Sequence, residues 1–398
     1  MKILSNDYPT NLPSNSNIAP GGPAHFARAF SGYAVGCGHE WLGLIHQGTQ
    51  EEKTGIVKDS TVDAKNYYIF SYPYKHFQSF IDSKKKIDPR AWFTPQINCI
   101  RKFIRRAKPD ILFLNGFSVY AWQLLEAARQ ENLPTVIQHA GIAQVEFEQY
   151  KHLYTHAVRM SVLQMERDIV DAASKQVFLN AFSHEAFCKR VAPVPERQTA
   201  IIPLPYQEVF AKKYLKSTKK KTTDKAAVIG CVARWDRIKN HDAILRLAIE
   251  AKRQKLDWKF KCVTKIPETR VQYRFKCSYK NAIEVVSPMP TSDLMDFYDS
   301  VDLLILPSHF DVSPTVVMEA ALQRKATLIS PNVGWISEYA ACGQKEWIID
   351  FTDAKRVVQR LRRLMKKPFP SRFRSIILNK HEPKKVFSAY LHLFKSVT

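Results

Sequence analysis

The chain has 398 residues, 45% hydrophobic and 24% charged, with 60 Lys+Arg against 37 Asp+Glu for a formal net charge of +23. That length suggests two domains, at roughly 150 residues each, and either half can bury its own core. No run approaches the ~18 consecutive apolar residues of a membrane span. Seven cysteines scattered at 37, 99, 188, 231, 262, 277 and 342, with no C-x-x-C pair, argue against a disulfide framework or a zinc site. The charge calls for an anionic partner, which could be nucleic acid, an acidic membrane leaflet or a phosphorylated substrate.

The chain opens with a strand over Lys2–Ser5 that enters a polar loop, Asn6–Gly22. The absence of an apolar signal-peptide core sets the expectation of a cytoplasmic protein. Pro20-Gly21-Gly22-Pro23 leads into a helix over Ala24–Tyr33. Glycine there lets the backbone approach a ligand, and a helix N-terminus favours negative charge. The run is not G-x-G-x-x-G, so no nicotinamide fingerprint is present, and a plain loop-to-helix turn explains it equally well. Strands follow at Glu40–Ile45, Tyr67–Ser71, Ile111–Asn115, Thr135–His139 and Gln176–Leu179. Helices are expected near Pro95–Ala107, Val119–Asn132, Tyr150–Ala173 and His184–Val191. Strands alternating with helices predict parallel βαβ units in a doubly wound α/β domain over residues 1–205. Within it, Trp92–Lys108 sets Phe93, Ile97, Ile100 and Ile104 at helical spacing beside Arg101, Lys102, Arg105, Arg106 and Lys108. Such a helix either packs its stripe on the sheet or lies on an anionic bilayer, and the overall charge tips the reading toward the membrane.

Residues 206–225, with the run KKYLKSTKKKTTDK, read as an exposed basic linker. A second alternating set fills 226–380. Its predicted strands are Ala227–Val232, Trp258–Val263, Ile283–Val286, Leu303–Leu306, Thr327–Ile329 and Trp347–Ile349. Its helices are near His241–Arg253, Ser292–Ser300, Pro314–Leu322 and Asp353–Met365, and a last helix, Pro383–Lys395, lies in the closing segment 381–398. Two doubly wound domains facing each other would leave a cleft, with ligands outside the carboxyl ends of the strands.

The most informative stretch is Pro307–Glu338. Asp311 and Glu319 stand eight positions apart across a loop-to-helix junction. Ser313 reads as an N-cap and Pro314 as the first helical residue. The free N–H groups there, at Ser313, Thr315 and Val316, suit an anion such as phosphate. A carboxylate can accept two neighbouring sugar hydroxyls, so Asp311 and Glu319 beside that anion suggest a sugar nucleotide. After strand Ala227–Val232, Arg234 and Lys239 can both reach a diphosphate, Arg bidentately and Lys as a point charge. Alone, the first pair reads as a loop acid and a solvated helix residue, and the second as a solvated basic loop.

Together, Pro307-Ser308, Asp311, Glu319-Ala320, Val333-Gly334 and Glu338 resemble the signature of retaining GT-B glycosyltransferases of the family-4 type, the glycosyl transferases group 1. The resemblance implies two Rossmann-like domains facing a cleft and a last helix crossing back to the N-terminal domain. It gives Asp311 the hydroxyls of the transferred sugar, Glu319 the ribose, and Glu338 a place near ribose or base. It gives Arg234 and Lys239 the departing diphosphate, Gly21 and Gly22 a place facing diphosphate and acceptor, and His139, at the end of a strand, contact with the donor sugar. The sequence departs from the pattern at three places. The first acid is Asp rather than Glu, Val312-Ser313-Pro314 replaces a Gly-aromatic-Gly run, and Val263-Thr264-Lys265-Ile266-Pro267 stands where Gly-x-Gly is common.

The sequence contains no D-x-D pair of the kind that would hold a metal and a diphosphate, so no metal or other cofactor is expected. Fixed cations and helix dipoles would then stabilise the leaving group. The resemblance implies transfer from a nucleoside diphosphate sugar with retention, the missing D-x-D pair implies that no metal is needed, and the positive charge favours a cell-surface or lipid-linked glycan as acceptor. The start of the chain and the basic stretch Trp92–Lys108 together set the expectation of a protein of the cytoplasm or the inner membrane face. Three other readings remain: an epimerase or hydrolase of the same fold, an inactive partner subunit, and a basic binding protein. Nucleic acid ranks last as a partner because the aromatics fall in apolar stretches rather than among basic ones.

Overall fold

The computed structural model describes residues 1–7, 22–51, 53–59, 66–150, 153–212, 227–367, 369 and 371–398. Two compact units emerge: Met1–Leu204 with Lys384–Thr398, and Pro205–Pro383.

The first unit is built on an eight-stranded sheet. In chain order its strands are β1 (Lys2–Asp7), β2 (Glu40–Thr49), β3 (Gly55–Asp59), β4 (Asn66–Pro73), β5 (Ile111–Asn115), β6 (Thr135–His139), β7 (Lys175–Phe178) and β8 (Thr199–Ile201). They lie in the order β3-β4-β2-β1-β5-β6-β7-β8. Every pairing is parallel except β3 with β4. Strands β5 and β6 are buried along their whole length, as expected where helices cover both faces of a parallel sheet. The edge strand β3 was not foreseen, since its Gly-Ile-Val-Lys-Asp sequence carries one short apolar pair.

Side-chain caps set the helix boundaries. Thr155 accepts from the Val158 amide at 3.2 Å, so the helix expected over Tyr150–Ala173 starts only at His156 and runs to Ala172, and a separate helix that was not predicted, Ala143–Tyr150, precedes it. Ser118 caps Val119–Gln130 in the same way. The basic amphipathic stretch forms helix Thr94–Ala107 with Ile97, Ile100, Phe103 and Ile104 buried against Val119–Gln130. Its apolar stripe is therefore occupied within the unit, and Arg101 and Arg105 each donate to Glu131 at 2.7 Å. That corrects the insertion half of the membrane reading, because packing on the neighbouring helix takes the face that a bilayer would need.

The C-terminal helix belongs to this unit from Lys384 onward. Phe387 stacks on Phe30 at 5.5 Å, Phe394 meets Phe113 at 5.3 Å, and the Tyr390 hydroxyl donates to Gln138. One glycine in the sheet is forced by close approach. A Cβ on Gly43 would lie 2.5 Å from the Tyr67 ring and 2.8 Å from an Asp7 carboxylate oxygen. Gly43→Ala is expected to lower stability by about 1–3 kcal/mol, read as a fall in the denaturation midpoint. An unchanged midpoint would mean that the Tyr67 ring yields freely.

The second unit holds a five-stranded, all-parallel sheet: β9 (Ala227–Val232), β10 (Trp258–Val263), β11 (Glu284–Val286), β12 (Leu303–Leu306) and β13 (Thr327–Ile329), in the order β11-β10-β9-β12-β13. The strand expected at Trp347–Ile349 is a 3-10 turn, Lys345–Trp347, with a single bridge from Ile348 to Ile329. Helices Tyr273–Ala282 and Ser371–Lys380 were not predicted, because their Lys, Arg and Ser content blurs the apolar period. Most of the expected linker, 213–225, lies outside the described residues, but its start is part of this unit. There, helix Glu208–Lys212 buries Phe210 completely, and the Phe210 carbonyl accepts from Gln323 Nε2 at 2.7 Å.

A candidate nucleotide-sugar site

In the second sheet the chain order reverses between β9 and β12, the kind of switch point outside whose strand carboxyl ends doubly wound sheets bind their ligands. Arg234 and Lys239 lie on the loop after β9, and Asp311 and Ser313 on the loop after β12. The two loops are joined by backbone and amide bonds. The His309 amide donates to the Ile238 carbonyl at 2.7 Å, and Asn240 Nδ2 donates to the Pro307 carbonyl at 3.0 Å. Asn240 takes the left-handed conformation (φ 55°), which asparagine tolerates, and caps helix His241–Arg253 through the Ala243 amide at 3.3 Å.

The loop after β13 joins the same frame. The Asp311 amide donates to the Asn332 carbonyl at 3.0 Å, and the Gly334 amide donates to the Asp311 carbonyl at 2.9 Å. Asp311 is thus held on both sides of its backbone while its side chain meets Lys239 Nζ. The Lys239 and Asp311 side chains are 18% and 13% exposed, against 69% for Arg234. Arg234 Nε lies 3.1 Å from Asp236 Oδ2 in an ion pair, and Asp236 accepts from the Ile238 amide through Oδ1. A half-sheltered cation–carboxylate pair beside an exposed guanidinium presents charge for an anion and acceptors for hydroxyls within one loop cluster.

Helix Thr315–Leu322 starts at this cluster, and no side chain caps its N-terminus. The expected Ser313 cap is corrected: Pro314 is the cap position, with φ −66° and ψ 118°, and Ser313 is buried. Proline and serine shift one place toward the N-terminus because Pro314 stays extended, leaving Thr315 and Val316 as the first helical residues with N–H groups that no intrahelical carbonyl can take.

Glu319 is not the solvated helix residue of the simplest reading. It is 7% exposed, its Oε2 accepts from the Tyr298 hydroxyl at 2.7 Å, and Thr315 bonds it as well. Burial pushes its carboxyl above the usual range, and the Tyr298 and Thr315 bonds pull back in part. Removing the hydroxyl with Tyr298→Phe is therefore expected to raise the Glu319 pKa further. A carboxyl infrared band whose midpoint stays put would refute this. Glu338 is also buried; its Oε1 accepts from Lys380 Nζ at 2.5 Å, and its Oε2 has no partner among the described residues. Gly334 is buried in the loop after β13.

The remaining predicted residues lie in the first unit. Gly21 is outside the described residues, and Gly22 starts helix Gly22–Gly36. His139 is wholly buried, stacked on Phe178 at 4.6 Å and tilted against Phe187 at 4.4 Å, with Nε2 bonded to Gln176 at 3.1 Å. Burial lowers its pKa to about 4. In this structure it is a neutral core histidine with no surface to offer a sugar, because residue 139 faces a neighbouring strand and helix rather than the loop beyond.

Tyr298, Asp236 and His241 were missed. Their only sequence signal was position, since Asp236 lies between the two loop cations and His241 opens the next helix, while Tyr298 reads as one aromatic in an apolar face. Among the described residues, no three His, Cys, Asp or Glu side chains gather into a metal-binding group.

Residues 213–379 match the family model described as glycosyl transferases group 1. No curated protein matches the chain by sequence. The fold is similar to the structure of trehalose-6-phosphate from E. coli bound with UDP-2-fluoro glucose, at 12% identity and TM-score 0.71 over 100% of both chains. It is similar to sucrose-phosphate synthase from Thermosynechococcus elongatus, at 13% identity and TM-score 0.70 over 100% of this chain and 98% of that one. It also resembles a glycosyltransferase from Rickettsia africae ESF-5, at 13% identity and TM-score 0.66 over the same shares. The chain thus has the two-domain GT-B fold, and residues 213–379 of its second unit are similar to the glycosyl transferases group 1.

Proposed function

We propose that the protein transfers a hexosyl group from a nucleoside diphosphate sugar to an acceptor hydroxyl, with retention at the anomeric carbon. The observation that carries this reading is the gathering of Arg234, Lys239, Asp311 and an uncapped helix N-terminus at the switch point of the second sheet. The similar E. coli structure holds a UDP-sugar analogue, which makes UDP-glucose the first donor to test.

Arg234 and Lys239 would meet the diphosphate, with the N–H groups of Thr315 and Val316 beside it. These charges act where negative charge grows as the sugar departs. Asp311 would orient the sugar by its hydroxyls rather than attack it, and the leaving phosphate oxygen would take the acceptor's proton on the same face. Glu319 and Glu338 would hold ribose or base. No metal takes part in this reading, and the acceptor is a lipid-linked or cell-surface glycan, matching the +23 charge with an anionic surface.

A panel of UDP-, GDP-, ADP- and dTDP-sugars, read first by thermal shift, selects the donor. The selected sugar should turn over only with acceptor present, give a product of unchanged anomeric configuration by NMR, and do so equally in EDTA. Hydrolysis without acceptor would favour the hydrolase reading, inversion would remove the proposed geometry, and loss of activity in EDTA would remove metal independence.

A further inference from the structure

His241 is the first residue of helix His241–Arg253, 5% exposed, and none of the roles above uses it. Its Nε2 lies 2.9 Å from the Arg234 carbonyl oxygen, and its Nδ1 lies 3.0 Å from the Tyr279 hydroxyl. A carbonyl can only accept, so Nε2 carries the hydrogen, and in the neutral ring Nδ1 accepts from Tyr279. The tautomer is thus fixed by the two partners.

The face of the same ring is also used. Trp235 stacks on it at 4.6 Å and 26°, and meets Tyr279 edge-on at 5.0 Å. One imidazole therefore holds the peptide between residues 234 and 235 by its edge and the side chain of residue 235 by its face. The Arg234 side chain, by contrast, reaches outward and is 69% exposed, with Asp236 as its neighbour. An exposed guanidinium recognises a phosphate well only if its Cα is held in place, since a flexible loop would lose that contact to disorder.

We infer that His241 is a positioning residue for Arg234: it locks the loop after β9 so that the guanidinium meets the diphosphate without a search. The inference rests on the phosphate role proposed for Arg234 and deepens it by naming what sets that side chain. A bland alternative is a histidine that merely fills the core beneath the loop, and the two differ in what they do to ligand affinity.

Titration calorimetry with UDP, GDP, ADP and dTDP identifies the tightest nucleoside diphosphate for the wild type, and that compound is the probe. Arg234→Ala is expected to weaken it about 10-fold or more. His241→Phe keeps a stacking ring and removes both hydrogen bonds, and should weaken the probe by about 5- to 20-fold. His241→Gln can place an amide N–H near the original Nε2 and should stay within about 3-fold of wild type. Because His241 acts through Arg234, the double variant His241→Phe/Arg234→Ala should bind within about 2-fold of Arg234→Ala alone.

Wild-type affinity in His241→Phe with only a lowered melting temperature would overturn the inference, as would full additivity in the double variant. Should His241→Phe not fold, Tyr279→Phe removes the Nδ1 partner instead, and an unchanged affinity there together with an equally weak His241→Gln would sink it. If Arg234→Ala itself binds the probe normally, or no probe binds the wild type, the phosphate reading falls first and takes this role of His241 with it.

Discussion

Lys239→Ala is expected to lower turnover of the selected donor by about 100- to 1000-fold, the scale seen when one preorganised charge facing a transition state is removed. In the proposed reaction Lys239 would face the growing charge of the leaving group, and in this structure its ammonium meets the Asp311 carboxylate. The same change leaves Asp311, only 13% exposed, without its cation, so a stability loss should accompany the catalytic one. The double variant Lys239→Ala/Asp311→Asn separates the two effects. It should recover most of the melting temperature and none of the turnover. Turnover by Lys239→Ala within about threefold of wild type, with donor saturating, would remove the residue from the leaving-group role.

The second large effect concerns acid. His139 and His46 both have pKa values lowered by burial to about 4 from 6.5. Each stays neutral in the folded chain while its unfolded counterpart binds a proton below pH 6.5. Their stabilisation is therefore complete above pH 6.5 and is lost as pH falls toward 4, by about 3 kcal/mol for the wholly buried His139. Glu166 works against them. It accepts from the amides of Ala143 and Gln144 at 2.6 and 2.9 Å, yet burial raises its pKa to about 7 from 4.5. Its folded form holds a proton that the unfolded form has lost, so its contribution is full below pH 4.5 and fades as pH rises to 7.

His139 and His46, joined by His25, His39, His76 and His309, whose pKa values are also lowered, outnumber the raised carboxyls of Glu166 and Glu319 and leave a net loss of stability between pH 6.5 and 4. Chemical denaturation at pH 7, 5.5 and 4 measures it. His139→Phe keeps a ring on Phe178 and takes no proton, so its stability curve should be flatter over that window than that of the wild type. Equal slopes for the two proteins would show that His139 does not titrate there.

Much of the fold could be read before any coordinates. Strands β5, β6, β9, β10, β12 and β13 and helix His241–Arg253 match their predicted bounds, because short apolar runs between turn residues and a sustained 3.6-residue stripe each allow one local structure. Failures cluster where the period is weak or a cap intervenes. The Thr155 cap moved the start of one expected helix to His156, and polar helices Tyr273–Ala282 and Ser371–Lys380 hid in charged sequence.

By itself, the sequence determined which residue types are available and which loop carries each: the cations Arg234, Arg237 and Lys239 after β9, and Asp311, Ser313 and Pro314 after β12. Those assignments follow from the chain alone, because strand ends and helix starts are local properties of a dozen residues. What only the tertiary structure decided is who meets whom. The 72-residue separation between Lys239 and Asp311 is closed by strand order, with β9 and β12 adjacent and parallel. Strand order likewise put His139 inside the core, and helix packing brought Tyr298 to Glu319 and His241 to the Arg234 carbonyl. Burial and hydrogen-bond partnership depend on contacts far apart in the chain, and no local pattern of side chains encodes them.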